Sequence, residues 1–234
     1  MFFDPLYLMV MIAGLVIGGL AQLAVKGAYS RYSRVRASSG ATGAQAARLM
    51  LDSAGLQDVS IQRVGGFLSD HYDPRAKVIR LSPGVHDSQS VAALGIACHE
   101  AGHAVQHARK YAPLVIRNAA VPLAGFGSNF AIILVIIGLM LMGMHVAFGY
   151  TIAIAGVLFF GTVVFFQVVN LPVEFNASAR AKKMLPQLGL ISGPSEMQGV
   201  NAVLNAAAMT YVAGTVVAIM QLLYWLSVVQ GSRR

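Results

Sequence analysis

Charge is what this chain has least of. Only 11% of its 234 residues are Asp, Glu, Lys or Arg, under half of the roughly 25% carried by a typical soluble domain. With 56% hydrophobic residues, there are too few polar side chains to cover a globule, which excludes an ordinary soluble domain. The same shortage excludes disorder, which accompanies low hydrophobicity and abundant charge. Cysteine is all but missing. Cys98 stands alone, so neither an intramolecular disulfide nor a Cys-rich structural zinc site can form. Acids are outnumbered, 9 against 17 Lys and Arg. The net charge of +8 could suit nucleic acid, but in so apolar a chain it reads first as membrane topology, and no nucleic-acid partner is expected.

Stretches without charge locate the spans. Residues 5–25, 118–173 and 197–232 contain no Asp, Glu, Lys or Arg. A spanning helix needs about 20 apolar residues, so the first stretch holds one span, the middle one a hairpin of two that turns at 145–150, and the last one more. Four transmembrane helices are expected, near 5–25, 127–145, 149–170 and 208–229. Met1-Phe2-Phe3-Asp4 offers no basic n-region, which favours a retained anchor over a cleaved signal. Gly14, Gly18, Gly19, Gly138, Gly143, Gly156 and Gly161 suit close helix packing.

Lys and Arg set the orientation. Residues 26–117 hold 12 of them, Arg180, Lys182 and Lys183 follow the third span, and the hairpin between spans two and three holds none. The rule that positive loops stay inside puts these segments in the cytoplasm and leaves Arg233 and Arg234 on the far side. The expected organisation is a first span (1–26), a small α+β soluble domain (27–126), the hairpin of spans (127–170), a second part of that domain (171–207), and a last span with its tail (208–234).

Within the soluble part, residues 43–54 carry helical apolar spacing and 59–64 alternate as a strand. Residues 68–72 and 77–81 flank Asp73-Pro74-Arg75-Ala76 as a hairpin. Asp87 or Ser88 is the expected N-cap of a helix over about 88–110, with Pro113 stopping it. Residues 77–81 are a candidate edge strand for holding an extended peptide.

That last helix contains His99-Glu100-Ala101-Gly102-His103. Residues four apart share a helix face, about 6 Å apart along the axis, so two imidazoles can converge on one zinc at about 2.0–2.1 Å. Glu100 then lies beside the open coordination position and can accept a proton from water as general base. Chance would produce this pattern roughly 0.002 times in a chain of this composition. A separate apolar face (Val91, Leu94, Cys98, Ala101, Val105) leaves the histidine face free of packing duty. His107 continues the row but lies about 12 Å from His99 on an unbroken helix, too far for one zinc; it suits a polar role on the helix face.

A catalytic zinc usually takes a third protein ligand. After Glu100 the only acids are Glu174 and Glu196. Glu174 is favoured, because two spans return the chain to the His99 side just before it; Glu196, His71, His86 or an Asp remain as alternatives. Ser178, one turn after Glu174, can support a ligand imidazole or simply pack. His71 and Tyr72 can polarise a carbonyl or hold an oxyanion, and Arg180 can meet a substrate carboxylate or Glu174.

Several blocks together carry a family resemblance: Leu68-Ser69-Asp70-His71-Tyr72-Asp73-Pro74-Arg75, Val78-Ile79-Arg80-Leu81-Ser82, the run from His99 through His107-Ala108, and Leu171-Pro172-Val173-Glu174-Phe175-Asn176-Ala177-Ser178. Over nearly the whole chain the sequence resembles the YugP-type membrane zinc metallopeptidases, also described as neutral zinc metallopeptidases. The resemblance implies a multi-pass protein of a bacterial cell membrane and a single catalytic Zn2+. It also implies a gluzincin-like set: His99, His103 and Glu174 as ligands, Glu100 as base. Ser178 departs from related gluzincins, which tend to have Asp there. The expected function is a zinc endopeptidase acting on membrane or juxtamembrane protein substrates. A non-catalytic zinc scaffold or chaperone would keep His99, His103 and Glu174 but would not need Glu100. A cation transporter would carry ionisable groups inside its spans, where the middle stretch offers only His145.

Overall fold

The computed structural model describes residues 4–232. Its elements are α1 (Pro5–Tyr32), α2 (Gly43–Ser53), β1 (Ser60–Arg63), β2 (His71–Asp73), β3 (Val78–Leu81), α3 (Pro83–His86), α4 (Val91–Ala108), α5 (Ala112–Gly143), α6 (Gly149–Gln187) and α7 (Gly193–Gly231). The fold is mainly α, with one three-stranded sheet. Four helices, α1, α5, α6 and α7, are long and apolar enough to cross a membrane, as expected from the charge-free stretches. The helices run beyond the expected spans: α5 starts at Ala112, and α6 continues through Pro172 to Gln187. Met1–Phe3 and the Arg233–Arg234 pair lie outside the described residues.

The chain divides into two compact units. The first comprises residues 4–20, 115–171 and 211–232. Apolar side chains such as Leu15, Leu20, Phe126 and Leu158 are exposed in it, the pattern of surfaces that face lipid rather than water. Its helices meet through small residues: a Cβ on Gly138 would strike the Ala153 backbone, and one on Gly156 would come 2.7 Å from Ala131 O. Gly18, Gly19, Gly143 and Gly161 face open space, so only some of the glycines pack helices. Asp4 accepts from Leu6 N at 3.0 Å, capping α1, and from the Tyr224 hydroxyl at 3.0 Å.

The second unit comprises 21–114 and 172–210 and holds the sheet. Thr42 caps α2 through a reciprocal bond pair with Gln45, which satisfies two orphan donors of the first turn. Asp73 Oδ1 accepts from Arg75 N and Ala76 N and so shapes the expected hairpin turn. The strand order is β1-β3-β2, with β1 parallel and β2 antiparallel to β3. The central β3 buries Val78, Ile79 and Leu81, whereas β1 is mostly exposed. The edge-strand reading of 77–81 is therefore corrected: β3 is paired on both sides, and the edges belong to β1 and β2, of which β2 packs against α4.

Three further expectations about α4 are corrected. Its N-cap is Ser90, whose hydroxyl accepts from Ala93 N, because residues 83–86 form their own helical turn upstream. Pro113 does not stop α4, which ends at Ala108; it lies in the first turn of α5, where a missing N–H costs nothing. Nor does α4 have a free histidine face. Leu94, Cys98, Ala101 and Val105 are buried, and so are Glu100, His103 and Gln106. The helix is the centre of the unit, packed on α2 and, within the unit, on residues 177–185 of α6 and 200–204 of α7.

Candidate metal centre

Helical spacing places His99, Glu100 and His103 on α4, and Glu174 and Ser178 on α6. The two helices approach closely because residue 102 is glycine: a Cβ there would lie 2.8 Å from Ala177 O and 3.2 Å from Ala177 Cα. This contact sits between Glu174 and Ser178 on one side and His99 and His103 on the other, so it draws the polar groups together.

Within that contact, His99 Nε2 and His103 Nε2 are 3.2 Å apart. Glu174 Oε2 lies 3.3 Å from His99 Nε2 and 3.6 Å from His103 Nε2. A tetrahedral ion with bonds of about 2.0–2.1 Å separates its ligand atoms by roughly 3.3–3.4 Å, so the three separations suit one zinc. The chemistry of the set agrees. Glu174 Oε2 is buried and has no hydrogen-bond partner; the other buried atoms in that position, Arg48 Nε, Arg117 Nε and Trp225 Nε1, are donors. An acceptor oxygen facing two imidazole nitrogens in a buried site is satisfied by positive charge, from a metal ion or from an imidazolium. Among the described residues, His99, His103 and Glu174 form the one group of His, Cys, Asp or Glu side chains able to hold a metal ion together.

The electrostatics reflect this demand. Burial alone would push the His103 imidazole down, but the neighbouring Glu174 and Glu100 carboxylates prevail and raise it. Burial would push Glu174, beyond the apolar stretch of α6, upward; the two imidazoles overcome this and hold it at about 2. Asp70 is raised by burial, and also by the charge of Glu100, despite accepting from Ser82 N at 2.7 Å. Glu100 itself is 8% exposed.

The other expected residues separate into those at the site and those away from it. Ser178 Oγ is 3.1 Å from His99 Nδ1. His107 lies apart from the metal group, and its Nδ1 is 2.9 Å from the Tyr72 hydroxyl. His71 is exposed, with Nδ1 2.8 Å from Ser69 O. Arg180 does not pair with Glu174; its Nε donates to Asn176 Oδ1 at 2.7 Å. Among the alternative ligands, Glu196 accepts from Ser38 N and Ser192 N, both at 2.8 Å. His86 pairs with Asp87. Cys98 is a core residue, its thiol pushed up to about 12 by burial.

Two residues escaped the sequence reading. Gln106 is fully buried, with Oε1 3.0 Å from His103 Nδ1; Asn176 joins it at 3.0 Å. The available signal was a lone amide three residues after His103, on a helix otherwise rich in small apolar residues.

Residues 7–230 match the family described as "Putative neutral zinc metallopeptidase". The chain belongs to this family. It is also 43% identical, over 97% of its own length and 98% of the relative's, to the "Putative membrane protease YugP" of Bacillus subtilis (strain 168). No solved structure matches it. The protein is therefore a zinc metallopeptidase with a membrane-spanning part, and its substrates are proteins or peptides.

Proposed function

We propose that the protein is a membrane-embedded zinc endopeptidase of the gluzincin type, cleaving membrane or juxtamembrane protein substrates. In this reading His99, His103 and Glu174 hold the ion, and residues 27–126 and 171–207 together form a cytoplasmic catalytic domain. The observation that carries it is the buried, unbonded Glu174 Oε2 facing two imidazole nitrogens at 3.3 and 3.6 Å. When bound, zinc supplies Lewis acidity that polarises a carbonyl and acidifies water. Glu100 accepts the proton of the attacking water and delivers it to the leaving amine nitrogen. Ser178 holds the His99 ring.

The free edge of β2 supports extended binding of the substrate backbone. Beside it, a cavity of about 240 Å³ lined by Tyr72, His107, Ala104 and Lys77 suits a side chain. Glu174 follows the apolar stretch 149–170 by four residues on one continuous helix, which favours substrates in or next to the membrane. The 12 Lys and Arg of 26–117 support the cytoplasmic side.

The test is zinc content and cleavage of a denatured membrane protein by the purified enzyme. Glu100→Gln is expected to keep about one zinc per chain and to lose about 10²–10⁴ in rate. Unchanged cleavage in that variant overturns the mechanism and returns the scaffold reading. Unchanged zinc affinity in Glu174→Ala overturns the third ligand.

A further inference from the structure

His103 is held by a chain of hydrogen bonds whose directions are fixed by two groups, the Val173 carbonyl, which can only accept, and the Arg180 guanidinium, which can only donate. Arg180 Nε can only donate, so the Asn176 atom 2.7 Å from it is the acceptor Oδ1. That same oxygen is 3.0 Å from one end of the Gln106 amide, and the Val173 carbonyl, which can only accept, is 2.8 Å from it. Two acceptors at one end identify it as Nε2, with both hydrogens committed. Oε1 is then the atom 3.0 Å from His103 Nδ1, and an oxygen there requires Nδ1 to carry the hydrogen. A neutral imidazole protonated at Nδ1 presents its lone pair at Nε2, the nitrogen that faces His99 and Glu174.

We propose that Gln106, anchored by the Val173 carbonyl and by Asn176, is a positioning residue that holds His103 in the Nδ1–H tautomer, with Nε2 open to the metal. The proposal rests on the ligand set given under the proposed function. His99 lacks such a device. Its partner is the Ser178 hydroxyl, which can donate or accept and so imposes no tautomer. Gln106 also bonds the carbonyl one residue before Glu174, so the group that orients the imidazole also ties down the segment bearing the carboxylate.

The test uses the full-length protein in detergent and two readouts. The first is the tautomer of His103 in zinc-free, 15N-histidine-labelled protein, read by long-range nitrogen–proton correlation at a pH where the ring is neutral. The wild type is expected to show Nδ1–H, and Gln106→Met a mixture. The second is zinc affinity by chelator competition, where Gln106→Met is expected to lose about 10–100-fold, the usual effect of removing a group that orients a ligand.

Directionality gives a sharper prediction. In Arg180→Met the Asn176 amide loses its donor, but the Val173 carbonyl still requires the Gln106 NH2 at that end, so His103 is expected to stay Nδ1–H and zinc affinity to fall less than in Gln106→Met. A Gln106→Met protein that loses zinc while His103 stays Nδ1–H shows mere packing and overturns the proposal, as does a wild-type protein whose His103 is not Nδ1–H. If instead zinc affinity is indifferent to His103→Ala and Glu174→Ala, the ligand assignment fails, while the tautomer of the zinc-free protein still reports on the relay.

Discussion

Gly102→Ala tests whether the close approach of two helices assembles the metal centre. A Cβ at residue 102 would stand 2.8 Å from Ala177 O, with Ala177 Cα and C at 3.2 and 3.3 Å. All three are backbone atoms of a helix, so none can swing aside. The oxygen is about 0.6 Å short of the ordinary 3.4 Å contact distance, and relief requires α4 and the 172–187 part of α6 to separate by that much. Metal–ligand distances tolerate only about ±0.2 Å. Glu174 and Ser178 flank Ala177, so the movement falls directly on the ligand from α6. The expected result is a 10–100-fold loss of zinc affinity, comparable to losing an orienting group. Overpacking costs about 1–3 kcal/mol, while the better helix propensity of alanine returns about 1 kcal/mol, so the zinc-free protein loses at most about 2 kcal/mol. Gly95→Ala on the same helix is the control. Its Cβ would meet Val200 Cγ1 at 3.7 Å and Leu204 Cγ at 4.0 Å, ordinary contacts, so it should gain up to about 1 kcal/mol of stability and bind zinc as the wild type does. Chelator competition and thermal unfolding of both variants decide the matter. Wild-type zinc affinity in Gly102→Ala, in a protein that stays folded, refutes the argument that this contact sets the ligand geometry.

Three other outcomes follow from the same structure. Glu196→Ala removes the acceptor of Ser38 N, Ser38 Oγ and Ser192 N, so it should cost about 1–2 kcal/mol in denaturation and leave zinc content unchanged; loss of zinc would make Glu196 a ligand after all. Tyr72→Phe removes the hydroxyl bonded to His107 and should change cleavage by less than tenfold, well short of the 10²–10³ lost with a donor to the transition state; a loss of that larger size in a peptide assay would place Tyr72 in the chemistry. Cys98, fully buried, should resist maleimide in the folded protein and react fully once unfolded, and stoichiometric labelling of the native state would contradict its place in the core.

The parts of this structure that were legible in advance depend on local chemistry. Uncharged stretches marked four membrane helices because charge is costly in lipid wherever it falls. The Asp73 turn was legible because an Asx side chain can close it alone. The sheet order was not. A hairpin reading sees only β2 beside β3, whereas β1 reaches β3 across that hairpin and pairs Ile61 with Ile79 in parallel, a choice made by burial of the central strand. The all-round burial of α4 was also hidden, since α2 and residues from α6 and α7 cover it from distant parts of the sequence. Proximity of Glu174 to the histidines could be anticipated by counting acids. Gln106 and Asn176 could not, because an uncharged amide carries no such scarcity.

That scarcity can now be followed to each carboxylate. Of the nine acids, seven have structural partners: Asp4 with Tyr224, Asp52 with Arg48, Asp58 with Lys77, Asp70 with Ser82, Asp73 with Arg80, Asp87 with His86 and Arg63, and Glu196 with Ser38 and Ser192. Two remain. Glu174 is buried with its Oε2 unbonded, and Glu100, 8% exposed, has no hydrogen bond among the described residues. Leaving a carboxylate buried without a donor is among the more expensive arrangements a fold can keep. A zinc ion would compensate Glu174 whether the site were structural or catalytic. Glu100 is held by no hydrogen bond of the fold, although its charge acts on His103 and Asp70, and its carboxylate is open to a water or substrate group. A carboxylate beside the ligand histidines that the fold leaves unbonded is what a general base requires, and a scaffold would have no use for it.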